Sequence, residues 1–373
     1  MRVAILILGV DPVVVILSFA AWVGVYLPIS ITLNLELGYT GIPNFGKALF
    51  VALGALVAGG LMARITFYLL GVQGNFLTDT TPMTAQVNSI LSNNAILSMG
   101  LLFMTLAMAA GIGALMGYVA SYPAIRLRED YLAMTLLVMA EFFILFANNY
   151  TPLVTGTIGI PLPNVFAWAG TSSINVATLF LVVFAVLCYF YSERVVRSPL
   201  GRTLRAIRDN ENASEALGKD TVSFRRNILI VASALTAMTG VFFAFYQGYV
   251  QPAQYPRLDW TIIPWVMVIM GGAANNFGVA MGVIIYEGII QTIQYLKFPL
   301  QPYVPFDVNY LQYIVVGILV ASILIYRPEG IFKEKSSATL GKSKTEELMK
   351  PFLPTPFAEA KGPPPPADKD DKG

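Results

Sequence analysis

Of the 373 residues, 56% are hydrophobic and 12% charged, about half the roughly 25% charge of an ordinary soluble domain. The 24 Lys and Arg and 22 Asp and Glu leave a net charge of +2, and they are clumped: residues 333–373 hold 15 of them and residues 192–227 hold 13. That distribution excludes a soluble globular chain; the absence of His excludes His-dependent acid–base catalysis and His-containing metal sites, the lone Cys188 excludes internal disulfides and thiolate clusters, and no charge excess points to nucleic acid.

A helix needs about 20 mostly apolar residues to cross the hydrocarbon core. Eight or nine segments qualify or nearly do, at about 13–35, 44–71, 95–120, 131–147, 173–191, 228–250, 260–272, 279–296 and 309–326. No period-2 alternation suggests a barrel, so the spans are helices. Arg2 is a one-residue basic start to an apolar run too long for a leader, and no small-x-small site follows, so a cleavable signal peptide is not expected.

Lys and Arg in short loops set the orientation. The 192–227 loop carries Arg194, Arg197, Arg202, Arg205, Arg208, Lys219, Arg225 and Arg226, which places it in the cytoplasm. Arg126 and Arg128 in the 121–130 loop, and Arg327, Lys333 and Lys335 after the last span, belong on the same side. Loops 72–94 and 148–172 have neither Lys nor Arg and face outside, as do 251–259 and 294–308. The N-terminus then falls outside. Residues 334–373, rich in Pro and charge, cannot bury enough apolar surface to fold and read as a disordered cytoplasmic tail beyond a membrane domain at 1–333.

Two stretches resemble each other. Gly38-Tyr39-Thr40-Gly41-Ile42-Pro43-Asn44-Phe45-Gly46-Lys47-Ala48 and Gly271-Gly272-Ala273-Ala274-Asn275-Asn276-Phe277-Gly278-Val279-Ala280 share Asn-Phe-Gly-x-Ala and interrupt apolar runs. Paired helix breaks of this kind mark a translocation pathway in transporters, here Gly41, Asn44, Phe45, Gly46, Gly271, Gly272, Asn276 and Gly278. They also suit short polar turns at the cytoplasmic surface. Thr155, Gly156, Thr157 and Gly159 form an outer stretch that reads either as an external gate or docking surface or as an ordinary loop. Glu36, Lys47, Glu141 and Glu287 are ionisable groups within the apolar runs. Each needs a partner at that depth, and Asn148-Asn149 is the candidate for Glu141.

The 192–227 loop is patterned. Ser198-Pro199 is an N-cap with Pro at N1, and Leu200, Leu204 and Ile207 recur at i, i+4, i+7 beside Arg202, Arg205 and Arg208. Asn212-Ala213-Ser214-Glu215 looks like a capping box for a second short helix, with a small apolar face of Ala213, Ala216 and Leu217 and Gly218 as its stop. Such helices either lie on the bilayer, with Arg residues reaching lipid phosphates, or dock on a cytoplasmic motor. No Walker A motif occurs, so a motor would be another chain.

The run Gly201 to Gly218, containing Arg208-Asp209-Asn210-Glu211, resembles the cytoplasmic coupling loop of branched-chain amino-acid ABC transporter permeases, more the LivM type than the LivH type. Leu35-x-x-Gly38-Tyr39-x-Gly41 with Asn44-Phe45-Gly46, Arg126-Leu127-Arg128-x-Asp130-Tyr131, Thr155-Gly156-Thr157-x-Gly159-Ile160, Gly271-Gly272 and Arg327-Pro328-Glu329-Gly330 follow in family order over about residues 30–332. Lys47 departs from a position where the family often has His, and the tail is not a family feature. The resemblance implies an all-α polytopic permease subunit of an ABC importer in the cell membrane, with about 8–10 helices and broken helices in two related halves. It would import branched-chain or related small neutral amino acids by alternating access. It has no enzymatic activity or cofactor of its own. Its partners are a LivH-type second permease, two ATPase subunits and an extracytoplasmic solute-binding protein, within membrane lipid. The coupling residues are Arg202, Arg205, Ala206, Arg208, Asn210, Glu215, Ala216 and Gly218. The alternatives are an ion-coupled secondary transporter and an ABC permease for urea or short amides.

Overall fold

The computed structural model describes residues 12–126, 129–301 and 307–334. The chain divides after Glu334; the tail, apart from Glu334 itself, and Leu127-Arg128 lie outside the described residues.

Helix α1 is Pro12–Thr40, and α2, Lys47–Leu69, passes through a π-turn at Val57–Met62. Then come α3, Thr80–Asn93, α4, Ala95–Arg126, and α5, Glu129–Asn149. A short antiparallel ribbon pairs β1, Ile160–Pro161, with β2, Tyr249–Val250. Between them run α6, Ser173–Arg197, the short α7, Pro199–Asp209, and α8, Glu211–Ala216, and α9, Thr221–Gln247. Helices α10, Leu258–Gly271, α11, Asn276–Leu300, and α12, Asn309–Tyr326, complete the bundle. Among the described residues, seven helices are long and apolar enough to cross a membrane, and α10 and α12 are shorter apolar helices. The chain is a multi-pass helical membrane protein.

Helices α2 and α9 form the centre, flanked by α1, α4 and α6. Apart from Lys47 and Arg64 on α2 and the polar ends of α9, their sequences are apolar or small on every side, as a helix buried all round requires. The outer helices instead present Phe103, Leu115, Phe142 and Leu187 outward, surface suited to lipid.

Without a hydrophobic drive between helices in lipid, close backbone approach does the packing. A Cβ on Gly54 of α2 would lie 1.8 Å from the Ala237 carbonyl oxygen of α9, and one on Gly240 of α9 would lie 2.0 Å from that of Val51. Only glycine fits at either position. Gly54→Leu must push backbone apart, and overpacking alone costs about 1–3 kcal/mol. The variant is expected to lower the thermal midpoint of the detergent-solubilised protein, measured by the loss of its monodisperse chromatographic peak. A midpoint equal to that of the unaltered protein would refute the close approach.

The segment 72–94, expected as a loop, contains α3. Met83, Val87 and Leu91 bury one edge of that helix at i, i+4, i+8, a periodicity hidden among Thr, Ser, Gln and Asn.

Candidate functional site: two helix breaks under a short loop helix

The first break, Gly41–Gly46, joins α1 to α2. Gly41 turns the chain with φ +76°, and Asn44 accepts from the Gly46 amide at 2.8 Å. The break aims Lys47 back at α1, where its ammonium meets Glu36 at 2.8 Å with both side chains fully buried. Asn44 donates to both Glu36 oxygens at 3.2 Å. Lys47 also donates to Thr32 at 3.2 Å and Thr236 at 3.4 Å, so the pair is surrounded by hydrogen-bonding groups as a buried ion pair requires. Phe45 stacks on Trp265 of α10 at 4.2 Å, and the Trp265 indole donates to the Asn44 carbonyl.

The second break, between α10 and α11, is reached through Gly272 at φ +107° and Ala274 at φ +61°. The two breaks pack against each other. A Cβ on Gly38 would lie 2.4 Å from the Ala274 nitrogen, and Asn34 of α1 accepts from that nitrogen at 2.8 Å. Asn34 donates to Asn276 at 2.9 Å, which donates to Glu193 of α6 at 3.0 Å. Gly271, Gly272 and Gly278 are buried here. The segment after α12 continues beneath, with Ile331 and Phe332 amides donating to the Met270 and Gly271 carbonyls at 3.0 and 3.1 Å.

Helix α7 closes this end. Its expected apolar face is buried on the protein: Leu204 joins Leu35, Tyr39, Val196, Ile228 and Ala274, with Leu200 alongside, and Ile207 is buried as well. Arg208 donates to the Gly38 carbonyl and reaches Glu334 at 3.0 Å, and Arg205 lies 3.6 Å from Glu334 and 5.2 Å above the Tyr39 ring. Burial works against the Arg208 charge, but hydrogen bonds to Glu334 and Asp209 outweigh it and raise its pKa. Arg205 and Arg208 therefore turn inward, whereas Arg202, Ala206, Asn210, Glu215, Ala216 and Gly218 are exposed.

Two local expectations need correction. The cap of α8 is Asn210, whose side chain accepts from Ala213 N at 3.0 Å, and Asn212 lies inside the helix. Glu215 accepts from the Thr221 hydroxyl at 2.7 Å and does not close a capping box. Ser198 precedes α7, but its hydroxyl turns back to the Val195 carbonyl and caps nothing. Gly218 does stop α8, with φ +76° and its amide and that of Lys219 returning to Glu215 and Ser214 at 2.8 and 3.1 Å. Asp220 caps α9 by accepting from the Ser223 amide, and its hydrogen bonds with Ser223 hold its carboxyl below the usual range.

At the opposite end the Thr155–Gly159 loop is pinned to the turn after α9. Thr155, itself at φ +56°, donates to the Gly159 carbonyl at 2.6 Å. Tyr249 donates to Ile158 O, and Gln251 donates to Thr157 O at 2.6 Å. Gly156 turns at φ +61°. Glu141 does not pair with Asn148 or Asn149: its carboxylate lies 3.5 Å from Arg257 just before α10, while Asn149 donates to Leu145 O.

Sequence reasoning missed a polar cleft between α1, α10, α11 and α12. A cavity of 190 Å³ is lined by Tyr26, Asp259, Tyr286, Glu287 and Gln291, among others. A second, of 230 Å³, shares Trp22, Tyr26 and Asp259 with it and reaches Gln247 and Gln254. None of the residues assigned to a pathway from the breaks lines either one. The only signal in the sequence was Glu287 within an apolar span. Among the described residues, no group of three or more Cys, Asp or Glu could hold a metal ion.

The sequence model of a family described as "Branched-chain amino acid transport system / permease component" matches residues 15–324. A probable branched-chain amino acid transport permease protein LivM of Methanocaldococcus jannaschii is 36% identical over 321 residues, 85% of this chain and 93% of that protein. High-affinity branched-chain amino acid transport system permease proteins LivM of Salmonella typhimurium and Escherichia coli are 26% and 27% identical over 258 residues. Each of those matches covers 62% of this chain and 58% of the relative. No solved structure matches the chain.

Proposed function

The chain belongs to the family of permease components of branched-chain amino acid transport systems, and on that premise we propose that it is one half of the membrane pathway of an ATP-driven importer. The solute is a branched-chain or related small neutral amino acid. A LivH-type permease completes the pathway, two ATPase subunits drive it, and an extracytoplasmic binding protein delivers the solute at the Thr155–Gly159 end. The chain sits in the cell membrane with residues 192–227 and the C-terminus in the cytoplasm. Residues 1–333 are the permease domain and the remainder a cytoplasmic tail.

One observation carries this reading: α7 packs on both helix breaks at once, through Arg208 on Gly38 and through the cluster that joins Leu204 to Ala274. A push on α7–α8 therefore reaches α1, α2, α10 and α11 together, and alternating access needs a rigid element that both inner breaks follow. The free surface of α7–α8 suits an ATPase groove. Leu217 is 81% exposed, and Arg202, Ala213, Glu215 and Ala216 are exposed as well.

Leu217→Asp and Gly218→Trp test the docking. Loss of one central apolar contact lowers association by about fivefold or more. Each variant is expected to lower ATP-dependent leucine uptake into membrane vesicles by at least that factor, and to lose the ATPase subunits on co-purification, at unchanged abundance in the membrane. Uptake and subunit recovery equal to those of the unaltered protein would refute the docking role.

A further inference from the structure

The polar cleft between α1, α10, α11 and α12 lies far from α7 and outside the two breaks, and it has a chemistry of its own. Tyr26 and Glu287 stand at the middle of α1 and α11, at the depth of the hydrocarbon core. A carboxylate, amides and phenols cannot face lipid there without a cost of several kcal/mol per unsatisfied group. Water or a polar solute must therefore occupy the space.

Among the described residues neither cavity is lined by Lys or Arg, although Asp259 lines both and Glu287 lines the inner one. Glu287 is almost fully buried, and the amide of Gln291, one turn on, is a neighbouring donor. In the outer cavity the carboxamide oxygen of Gln254 is buried and has no hydrogen-bond partner. Three acceptor groups thus lack a cationic donor. Trp22, Ile263 and Ile290 supply apolar lining, while Gln294, Gln312 and Tyr313 can donate.

We propose that this cleft binds the transported amino acid, with its ammonium held by Asp259 and Glu287, its carboxylate by the Gln294, Gln312 and Tyr313 donors, and its aliphatic side chain on Trp22, Ile263 and Ile290. The assignment rests on the amino-acid reading above and adds the site. The outer cavity, which ends at Gln247 and Gln254 beside the Thr155–Gly159 loop, is the entry. The solute passes Gln254 and Asp259 first and Glu287 last. A small-molecule site is expected to combine such apolar lining with a few convergent polar groups.

The test uses proteoliposomes holding this chain with the subunits that co-purify with it. Asp259→Asn and Glu287→Gln are each expected to raise the KM for L-leucine at least tenfold, as losing a charge-assisted contact to a desolvated ammonium would, with equal amounts of protein inserted. 4-Methylpentanoate, leucine's skeleton without the ammonium, is expected to compete poorly. Gln294→Cys gives a readout independent of those variants, because Gln294 is exposed and the native Cys188 is buried. L-leucine is expected to slow labelling of the Gln294→Cys thiol by a charged maleimide, and 4-methylpentanoate is not. Leucine transport with KM values within twofold of the unaltered protein, and no protection of that thiol by leucine, overturns the site alone. Protection by sodium ion without leucine also overturns it, in favour of a cation site. Failure of the unaltered complex to transport leucine overturns the amino-acid reading and the site with it.

Discussion

Lys47→Met alone is expected to destabilise the protein severely, and Lys47→Met combined with Glu36→Gln is expected to recover most of the loss. The reason is the environment of the pair. Both side chains are fully buried, 2.8 Å apart, at the start of α2 and near the end of α1. Removing the ammonium leaves a carboxylate whose remaining donor is Asn44, while Thr32 and Thr236 keep each other at 3.1 Å and the Ile29 and Ala232 carbonyls at 2.9 and 2.7 Å. Breaking a buried pair from one side costs about 3–5 kcal/mol, whereas replacing both charges by neutral groups of similar volume is often close to neutral. Marginal stability of about 5–15 kcal/mol makes the single change a large fraction of the whole. The check is the amount of monodisperse protein extracted from membranes and its thermal midpoint. Equal midpoints for the single and double variants would mean that the pair does not hold the break.

The pair also shows how far the sequence was legible. Glycine, proline and asparagine inside apolar runs located both breaks, because helices rarely tolerate those residues away from ends. The start of α7 and the stop of α8 followed from Pro199 and Gly218 for the same local reason. Partners across the bundle left no such trace. Glu36 and Lys47 could be read as neighbours of a break, but only the turn at Gly41–Gly46 points one at the other. Glu141 found Arg257 rather than the nearby Asn148-Asn149, since an arginine before α10 outcompetes an amide on the same helix.

The cleft was hidden for a related reason. Tyr26, Asp259 and Glu287 come from α1, α10 and α11, and each looks like an isolated polar residue until the helices meet. The three-residue Arg repeat on α7 suggested one set of arginines reaching lipid phosphates or a docking partner. Glu334, 126 residues along the chain from Arg208, draws Arg205 and Arg208 inward and leaves Arg202 outside.

That inward turn predicts the second large effect. Arg208→Glu is expected to lower ATP-driven leucine uptake more than about tenfold while ATP hydrolysis continues, because truncating or reversing one member of a partly buried charged pair costs about 2–5 kcal/mol. Arg208 is the side chain that ties α7 to the Gly38 carbonyl at the end of α1 and to Glu334 in the segment running beneath Gly271 and Gly272. Reversal sets two carboxylates against each other, so α7 no longer moves with the breaks. Glu334→Arg in the Arg208→Glu background restores an opposite-charge pair and is expected to regain several-fold of the lost uptake, though not all, since no donor returns to the Gly38 carbonyl. The comparison separates two ways in which α7 could matter. If Arg208 served only as an outward contact for the ATPase, Glu334→Arg would rescue nothing, and Arg202→Glu would be as damaging as Arg208→Glu. If it clamps α7 to the inner ends of α1 and α10, the swap rescues, and Arg202→Glu mainly weakens ATPase recovery on co-purification.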